Sequence, residues 1–265
     1  MAVGAIAVLS ILALGATSSV LQELKLAKFV TESDTSPYLA RSAVDIMRVF
    51  LSNDSTRGSV TLYDLRSREV FLGDKVVVVV PADEQGKINL DLATKEILGR
   101  LDGLSGQVQL IDAVFGANII AREELFLLYG MTQEIYDKLK GLTTVFGLGL
   151  VNINTAQPDA LGAQGMDSDL INKIKEFRDG DDGIEATEDD RYFFNVSEII
   201  PQLTNDGITP VQQQVLQNLI SGMQLGVTSD YVSFDITVFQ GKKKVRFFKV
   251  TANLAKGTIV FWHEE

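Results

Sequence analysis

The opening of the chain changes from a wholly apolar pattern to a one-sided one. Residues 1–22 carry no charge, and at about 1.5 Å of rise per residue they make about 33 Å of helix, enough to cross the hydrocarbon of a bilayer. A cleavable secretory signal would begin with basic residues, and a buried core helix would be shorter or one-sided. The pattern therefore favours a membrane anchor. Its apolar residues include Ala2, Val3, Ile6, Val8, Leu9, Ile11, Leu12 and Leu14.

After Glu23 the apolar residues recur at helical spacing, with charged residues between them. Pro37 removes one hydrogen bond of this helix, so we expect an interruption or kink there. The apolar stripe exceeds what one small sheet needs, and we predict that it contacts a partner helix. Packing on the chain's own sheet is the alternative, and both can hold on different faces. The stripe consists of Leu24, Ala27, Leu39, Ala43, Ile46, Met47 and Phe50.

Short runs of β-branched and apolar residues predict strands on both sides of a helical region. Before residue 90 the runs are 59–63, 69–72 and 75–80, the last ended by Pro81. After residue 226 they are 232–238, 245–253 and 258–262, joined by tight turns. Between them, the spacing predicts helices at 93–101, 108–115, 122–128, 133–139, 158–163, 168–178 and 210–223.

These elements predict an α+β fold. A long N-terminal helix packs on a small antiparallel sheet that takes strands from both ends of the chain. A mainly α-helical domain is inserted between those strands. The predicted boundaries are 1–53 for the anchor and spine helix, 54–91 with 226–265 for the sheet domain, and 92–225 for the insertion.

Composition narrows the class of function. The formal net charge of the 265-residue chain is −11, and such a surface repels phosphate backbones unless a local basic patch intervenes. Cysteine is absent and His263 is the only histidine, which excludes a thiol nucleophile and disfavours a Ser-His-Asp triad. Neither a Walker loop nor a dinucleotide glycine pattern occurs. We therefore expect no enzymatic activity and no organic cofactor.

The most specific local signal is the asparagine-rich segment 149–156, which reads as a short extended piece that enters a helix near Pro158. Thr155 is predicted to cap that helix, because its hydroxyl can accept a free amide of the first turn. Pro158 fits the first turn, where no amide hydrogen is needed. The four residues of this structural motif are Asn152, Asn154, Thr155 and Ala156.

A similar segment opens the helix-hairpin-helix unit of DNA-binding proteins, where a hairpin with two glycines offers backbone amides to a phosphate. Here residues 163–169 lack the second glycine and carry Asp167 and Asp169, which oppose an anion. We therefore expect a packing role for the motif and no nucleic acid as a partner. The alternative is a membrane-anchored nucleic-acid-binding protein of the DNA-uptake type.

An acidic run follows the second helix of this unit. Seven of the twelve residues from 179 to 190 are acidic, and glycines between them would let several oxygens converge, as Ca²⁺ requires. The spacing is not that of an EF-hand, and the alternative is a solvated loop flanked by salt-bridging arginines. If calcium binds, the ligands are Asp179, Asp181, Asp182, Glu185, Asp189 and Asp190.

Five segments, in order along the chain, resemble the K-type minor pseudopilins of bacterial type II secretion systems. They are 83–90, 123–125 with 129–132, 151–156, 178–190 followed by 193 and 196–199, and 227–264. The stretch between Leu90 and Glu123 is shorter than the first helical subdomain usual in that family. If Met1 is the first mature residue, Ala5 stands where most pilin-like subunits carry a glutamate, and K-type subunits are the exception.

The resemblance implies a pilin-like sheet, a SAM-like helical insertion and a non-enzymatic role. The chain would cross the inner membrane once and expose its globular part to the periplasm. Through its N-terminal helix it would join the I- and J-type minor pseudopilins in a hetero-oligomer. This complex would form the tip of the pseudopilus and support protein secretion across the outer membrane, and the bulky insertion would stop further subunits from adding above it.

Overall fold

The structure is a computed structural model that describes the backbone of residues 2–52 and 60–265. Side chains are described at residues 18–28, 30, 35–51 and 60–265. Among these residues, no helix is both long and apolar enough to cross a bilayer. The side chains of the predicted anchor, from Ala2 to Leu14, lie outside the described ones. The anchor therefore stays a prediction.

The N-terminal part is a single long helix, α1 (Ala2–Ser52). Pro37 lies inside α1, so the predicted interruption there is absent. A proline removes one hydrogen bond of the helical ladder. The turns that follow are held in place by Ala40, Ala43 and Met47, which are at most 1% exposed against the sheet. This packing keeps the helix continuous past the proline.

The strands are β1 (Arg68–Leu72), β2 (Lys75–Asp83), β3 (Ile88–Asn89), β4 (Thr143–Thr144), β5 (Val151–Asn152), β6 (Leu225–Gly226), β7 (Tyr231–Gln240), β8 (Lys243–Asn253) and β9 (Thr258–Glu264). Five of them form one antiparallel sheet in the order β1-β2-β7-β8-β9. The prediction that early and late strands share a sheet is therefore confirmed. β3 pairs with β4 and β5 with β6 in two short parallel ladders.

One predicted strand is absent and one predicted strand boundary is wrong. In place of the strand 59–63, residues 60 and 61 have no regular structure and residues 62–66 form turns and a bend, and the Asp64 carboxylate accepts a hydrogen bond from the Thr61 amide at 3.0 Å. β2 does not end at Pro81 but continues to Asp83. The Glu84 amide donates to the Tyr231 carbonyl of β7 at 3.0 Å, so by alternation the nitrogen of Pro81 faces away from β7. On that side β1 pairs with β2 only as far as Val79, so the missing N–H leaves no ladder bond unmade.

One face of the sheet packs on the second half of α1. Side chains alternate between the two faces along β2 and most of β7, so every second side chain there points to this face. Its apolar core consists of Ala40, Ala43, Val44, Met47, Val77, Val79, Val232, Phe234, Ile236, Val238, Phe248, Val250 and Ala252. These side chains are at most 1% exposed, which fixes the helix on the sheet.

The segment between β2 and β7 is mainly helical. It contains α2 (Lys95–Arg100), α3 (Val108–Gly116), a 3₁₀ helix (Arg122–Leu127), α4 (Gln133–Leu139), α5 (Pro158–Ala163), α6 (Ser168–Arg178), α7 (Val196–Asn205) and α8 (Pro210–Ser221). α7 is not among the predicted helices, and Pro201 lies inside it. The buried side chains of Ile199 and Leu203 hold α7 against a hydrophobic core distinct from that of the sheet.

Candidate functional site

The two ends of the sheet carry different parts of the chain. At one end the Lys75 ammonium donates to the Thr35 hydroxyl of α1 at 2.6 Å, and Lys75 pairs with Gln240 beside the β7–β8 turn. At the other end the Arg48 guanidinium lies against Gly257 in the β8–β9 turn, where a Cβ would come within 2.6 Å of it. α1 therefore meets the sheet at the β7–β8 turn and ends near the edge from which the helical insertion leaves.

The insertion is joined to the sheet through the buried carboxylate of Asp83, the last residue of β2. Its Oδ2 accepts hydrogen bonds from the Asn152 side-chain amide, at 2.9 Å, and from the hydroxyls of Thr155 and Ser229. Its Oδ1 accepts from the backbone amide of Gln85 at 2.8 Å. Burial raises the pKa of Asp83, although each of these hydrogen bonds favours the ionised form.

Glu84 makes a second set of contacts across the same junction. Its carboxylate accepts hydrogen bonds from the hydroxyls of Thr144 and Ser233, each at 2.6 Å, and from the Lys87 ammonium at 2.5 Å. Burial opposes ionisation, but the Lys87 charge and the hydrogen bonds outweigh it, so the pKa of Glu84 is lowered. This pair of buried acids is not predicted from the sequence. The signal is two adjacent acids at the end of a buried strand, because buried charges need partners.

The asparagine motif is a buried hydrogen-bonding unit. Asn152 is 0% and Asn154 2% exposed. The Asn152 amide donates to the Gln85 carbonyl at 2.7 Å, which ties β5 to the junction. The Asn154 side chain accepts from the Phe193 amide at 2.8 Å and donates to the Phe193 carbonyl at 3.0 Å and the Val227 carbonyl at 3.1 Å. The motif thus joins two distant loops to the sheet.

Thr155 does not cap the helix that follows, contrary to the prediction. α5 begins at Pro158, and its N-cap is Gln157, whose side chain makes no capping hydrogen bond. The Thr155 hydroxyl donates to the Asp83 carboxylate, because a buried carboxylate must be satisfied by hydrogen-bond donors. Gly86 lies so close that a Cβ there would be 2.9 Å from the Thr155 Oγ1.

Arg178, the last residue of α6, links the motif to the acidic loop. It is 4% exposed, and its guanidinium donates to the carbonyls of Ile153, at 3.2 Å, and Ala156, at 2.7 Å. Burial lowers the pKa of Arg178, and the charges of Glu185 and Asp179 oppose that effect. From the sequence, this arginine is predicted only to flank the acidic run.

The acidic loop satisfies the carboxylates of Asp182, Asp189 and Asp190 with its own backbone amides. Asp189 accepts from the amides of Asp181, at 2.8 Å, and Asp182, at 3.0 Å, and Asp190 accepts from the amide of Thr187 at 3.0 Å. The Thr187 hydroxyl and these amides lower the pKa of Asp189 to about 2. Among the residues that the structure describes, no three acidic or histidine side chains converge as metal ligands.

The predicted calcium ligands are therefore dispersed in this conformation. Asp181 pairs with Arg191, and Glu185 faces Arg178 at 3.9 Å. Asp179 is 6% exposed, and within the described chain its Oδ1 has no hydrogen-bond partner. The loop supplies the oxygen ligands that Ca²⁺ prefers. In this conformation these oxygens face backbone amides or arginine side chains. Calcium binding stays a prediction.

The hairpin between α5 and α6 carries acidic side chains at its exit. Asp167 is the N-cap of α6 and accepts from the Leu170 amide at 2.8 Å. Its carboxylate and that of Asp169 also accept from the Gln212 side chain of α8, each at 3.0 Å. Two carboxylates thus stand where a helix-hairpin-helix unit would offer amides to a phosphate, and they tie α6 to α8.

The predicted partner stripe of α1 does not lie on one face. Ala43 and Met47 are at most 1% exposed, and Leu39 packs on the same sheet core. A partner contact through Ala43 and Met47 is therefore wrong, because these side chains fill the chain's own core. The other residues of the stripe are exposed, and they are Leu24, Ala27, Ile46 and Phe50. Further exposed apolar side chains of α1 are Val20, Leu21, Leu26, Val30, Tyr38 and Val49.

The arrangement of one long helix, a five-stranded sheet and an inserted helical unit has a counterpart among solved structures. It matches a chain in the crystal structure of the GspK-GspI-GspJ complex from the type 2 secretion system of enterotoxigenic Escherichia coli. The TM-score is 0.59 and the sequence identity 14%, over 92% of this chain and 98% of that one. The chain has a GspK-like fold. It matches no protein-family model and no curated protein sequence.

The GspK-like fold spans nearly the full length of both chains, so it includes the helical insertion as well as the sheet. The resemblance to K-type minor pseudopilins inferred from five sequence segments is thereby confirmed at the level of the fold.

Proposed function

We propose that this chain is a non-enzymatic minor pseudopilin of a type II secretion system. It forms the tip of the pseudopilus together with the I- and J-type subunits and supports protein secretion across the outer membrane. The observation that carries the proposal is the placement of the helical insertion at one end of the sheet and of the N-terminal half of α1 at the other.

This placement supports a terminal position in a fibre. In a filament held together by parallel helices, a subunit added above would have to extend past the C-terminal end of α1. That end lies at Arg48 and the β8–β9 turn, beside the junction from which the insertion leaves. The insertion takes up the space that the next subunit would need. A chain of this shape can accept partners along its helix but not above its head.

The helix itself supports partner binding and anchoring. Beyond the sheet, α1 exposes Val20, Leu21, Leu24 and Leu26, which are 53–63% exposed. Alongside the sheet it exposes a second group that includes Ile46 and Val49. Exposed large apolar side chains in a row mark interaction surfaces. We propose that residues 1–22 cross the inner membrane once, with the globular part in the periplasm. We also propose that the exposed row after residue 22, which includes Leu24, Leu26, Ile46 and Val49, binds the helices of the I- and J-type subunits.

Co-purification from membranes with tagged I- and J-type subunits tests the partner claim. The double variant Ile46→Asp and Val49→Asp should lose the complex, because it places charges on the exposed row while leaving the sheet core intact. Leu127→Asp is the matched control, since Leu127 is 83% exposed but lies on the insertion. Retention of both subunits by the double variant, or equal loss in the control, would overturn the proposal.

A titration with duplex DNA at low salt tests the competing function. We expect weak binding, because the hairpin carries Asp167 and Asp169 and the net charge is −11. Tight, salt-sensitive binding would favour the nucleic-acid-binding alternative over a pseudopilus tip.

We also propose that the acidic loop binds calcium, on the strength of its oxygen donors and the buried, unpaired Oδ1 of Asp179. Millimolar calcium should then raise the thermal midpoint of the protein, because a ligand that binds only the native state stabilises it. Asp181→Ala and Asp189→Ala should reduce that shift. An unchanged midpoint would remove calcium from the proposal.

A further inference from the structure

A cleft of about 520 Å³ lies between the helical insertion and the face of the sheet that is turned away from α1. Asp235 of β7 and its cross-strand neighbour Lys249 of β8 line one wall, together with Thr251. Arg122 of the 3₁₀ helix and Tyr136 of α4 line the other wall. Pockets that hold small ligands have volumes of about 300–1,000 Å³. The cleft is therefore large enough for a ligand of the size of a short peptide.

The charges that line the cleft sum to zero. Four of the lining side chains are basic and four are acidic. A cleft with this balance does not concentrate ligands of high net charge, such as a phosphate or a divalent cation. It favours a ligand that is neutral as a whole. The eight side chains are Lys87, Arg122, Lys140, Lys249, Glu84, Glu123, Asp137 and Asp235.

Six of these eight charges have a partner within the chain. Two ion pairs form inside the lining, at 2.5 and 2.7 Å, and they are Lys87–Glu84 and Lys140–Asp137. Lys249 lies 3.9 Å from Glu265, and Glu123 accepts a hydrogen bond from the Tyr136 hydroxyl at 3.4 Å. A ligand has least to offer these six groups, because the protein itself already supplies their partners.

Asp235 is the acid that remains. It makes neither a hydrogen bond nor an ion pair with any residue that the structure describes. Burial raises the pKa of Asp235, and the charges of Lys249, Lys87 and Arg122 oppose this effect. A ligand cation placed against the carboxylate would stabilise its charged form.

Arg122 is the base that remains, and it faces the cleft from the insertion. Its Nη1 donates to the carbonyls of Lys140, at 2.6 Å, and Thr143, at 3.2 Å, which holds the guanidinium in place. Among the described residues, no carboxylate lies within ion-pair distance of it. A guanidinium that is fixed by backbone carbonyls and lacks a carboxylate partner suits a carboxylate from a ligand.

Thr251 supplies a further polar group on the sheet wall. It is 3% exposed, and its hydroxyl makes no hydrogen bond within the part of the chain that the structure describes. A buried hydroxyl without a partner is unfavourable, so a main-chain amide or carbonyl of a ligand would stabilise it. The apolar side chains that border these polar groups include Val80, Val145 and Phe261.

We propose that the cleft binds a short zwitterionic peptide, with its ammonium group at Asp235 and its carboxylate at Arg122. The two side chains stand on opposite walls, so a ligand that carries both charges can contact both at once. Such a ligand is neutral as a whole, as the balance of the lining charges favours, and its main chain offers a partner for the Thr251 hydroxyl. The inference uses the cleft alone and does not depend on a role in the pseudopilus.

Isothermal titration calorimetry of the full-length chain in detergent tests the inference, with trialanine as the probe. Trialanine with free termini carries both charges. Three related peptides lack the ammonium group (N-acetyl), the carboxylate (C-terminal amide) or both. A hydrogen bond to a charged group is worth about tenfold or more in affinity, so the removal of either terminal charge should weaken binding about tenfold.

Variants assign each terminal charge to a side chain. Asp235→Asn should bind trialanine about tenfold more weakly and no longer distinguish it from the N-acetyl peptide. Arg122→Gln should no longer distinguish trialanine from its amide, whereas Arg122→Lys, which keeps the charge, should still do so. Asp102→Asn is the matched control, because the Asp102 side chain is 68% exposed on the insertion and lies outside the cleft.

Binding of trialanine that responds to each terminal charge only when the matching side chain is present supports the inference. Equal affinities for the four peptides, no heat with any of them at millimolar concentration, or an equal loss in Asp102→Asn overturns it. Far-ultraviolet circular dichroism checks that each variant is folded. If Arg122→Gln is not folded, Asp235→Asn decides alone, since Asp235 makes no hydrogen bond to the described residues that its replacement could remove.

Discussion

The junction carboxylate offers the sharpest test of how the insertion is held to the sheet, through the substitution Asp83→Ala. In the native structure Asp83 accepts hydrogen bonds from the Gln85 amide, the Asn152 side chain and the hydroxyls of Thr155 and Ser229. Alanine removes all of these acceptors at once. The donors come from three separate segments, so the loss should loosen the connection between sheet and insertion.

The expected cost follows from counting the donors that cannot find a new acceptor. The two hydroxyls can rotate, but the Gln85 amide and the Asn152 side-chain amide are fixed and buried. Each buried donor left without a partner costs about 1–3 kcal/mol, or about 2–6 kcal/mol for both. Relief from burying a carboxylate offsets part of this cost. We therefore expect a loss of about 2–4 kcal/mol in the free energy of unfolding.

Unfolding of the full-length chain in detergent by urea can be followed at two places. Trp262 is the only tryptophan and packs on Phe248, with ring centroids 5.4 Å apart, so its fluorescence reports the sheet. The far-ultraviolet circular dichroism signal reports the helices. Asp102→Ala, at a residue whose side chain is 68% exposed, should change stability by less than about 0.5 kcal/mol. An effect of Asp83→Ala no larger than that of Asp102→Ala would refute the reasoning.

Three further predictions concern the same packing. Because the pKa of Asp83 is raised in the fold, its contribution to stability is fully present below the ordinary Asp pKa of about 3.9 and is lost as the pH rises through the raised value. The stability of the Asp83→Asn variant should therefore rise relative to that of the native chain as the pH passes through that window. Urea unfolding at a series of pH values measures this, and a difference in stability that does not change with pH would contradict it. Gly86→Ala should lower the free energy of unfolding by about 1–3 kcal/mol, since the added Cβ would lie 2.9 Å from the Thr155 hydroxyl oxygen. The Gly141→Ala variant is the control and should melt close to the native protein, because a Cβ at this position has nothing within 4 Å. Met47→Ala should lower the free energy of unfolding by about 2–5 kcal/mol. Val49→Ala should leave it nearly unchanged, because Val49 lies on the same helix but is 63% exposed. Equal losses in the two variants would mean that α1 packs on the sheet in a different rotation.

Local periodicity identifies most elements of this protein. The early and late β-branched runs lie in one sheet, and the predicted helices from α2 to α6 and α8 are present at nearly the predicted bounds. The reason is that spacings of two and of 3.6 residues determine which side chains share a face. Three of the departures lie at prolines. Pro37, Pro81 and Pro201 all lie inside elements whose packing outweighs one lost hydrogen bond.

The junction could not be read from local pattern. Thr155 follows the rules of a helix cap, yet its hydroxyl bonds to Asp83, 72 residues earlier in the chain. Asp83 and Glu84 look like a solvated turn in sequence, and only the folded chain shows that both are buried. Hydrogen bonds between distant segments leave no periodic trace, because each partner is selected by position in space and not by spacing.

The rotation of α1 is the other feature that only the tertiary structure decided. The sequence by itself determined that an uncharged stretch leads into a long helix with an apolar stripe and that a helical unit interrupts a sheet. It could not separate Ala43 and Met47, which face the sheet, from Ile46 and Val49, which face outward. A stripe wider than one contact is compatible with several rotations of a helix, and the one adopted is set by how its side chains fill the sheet's core.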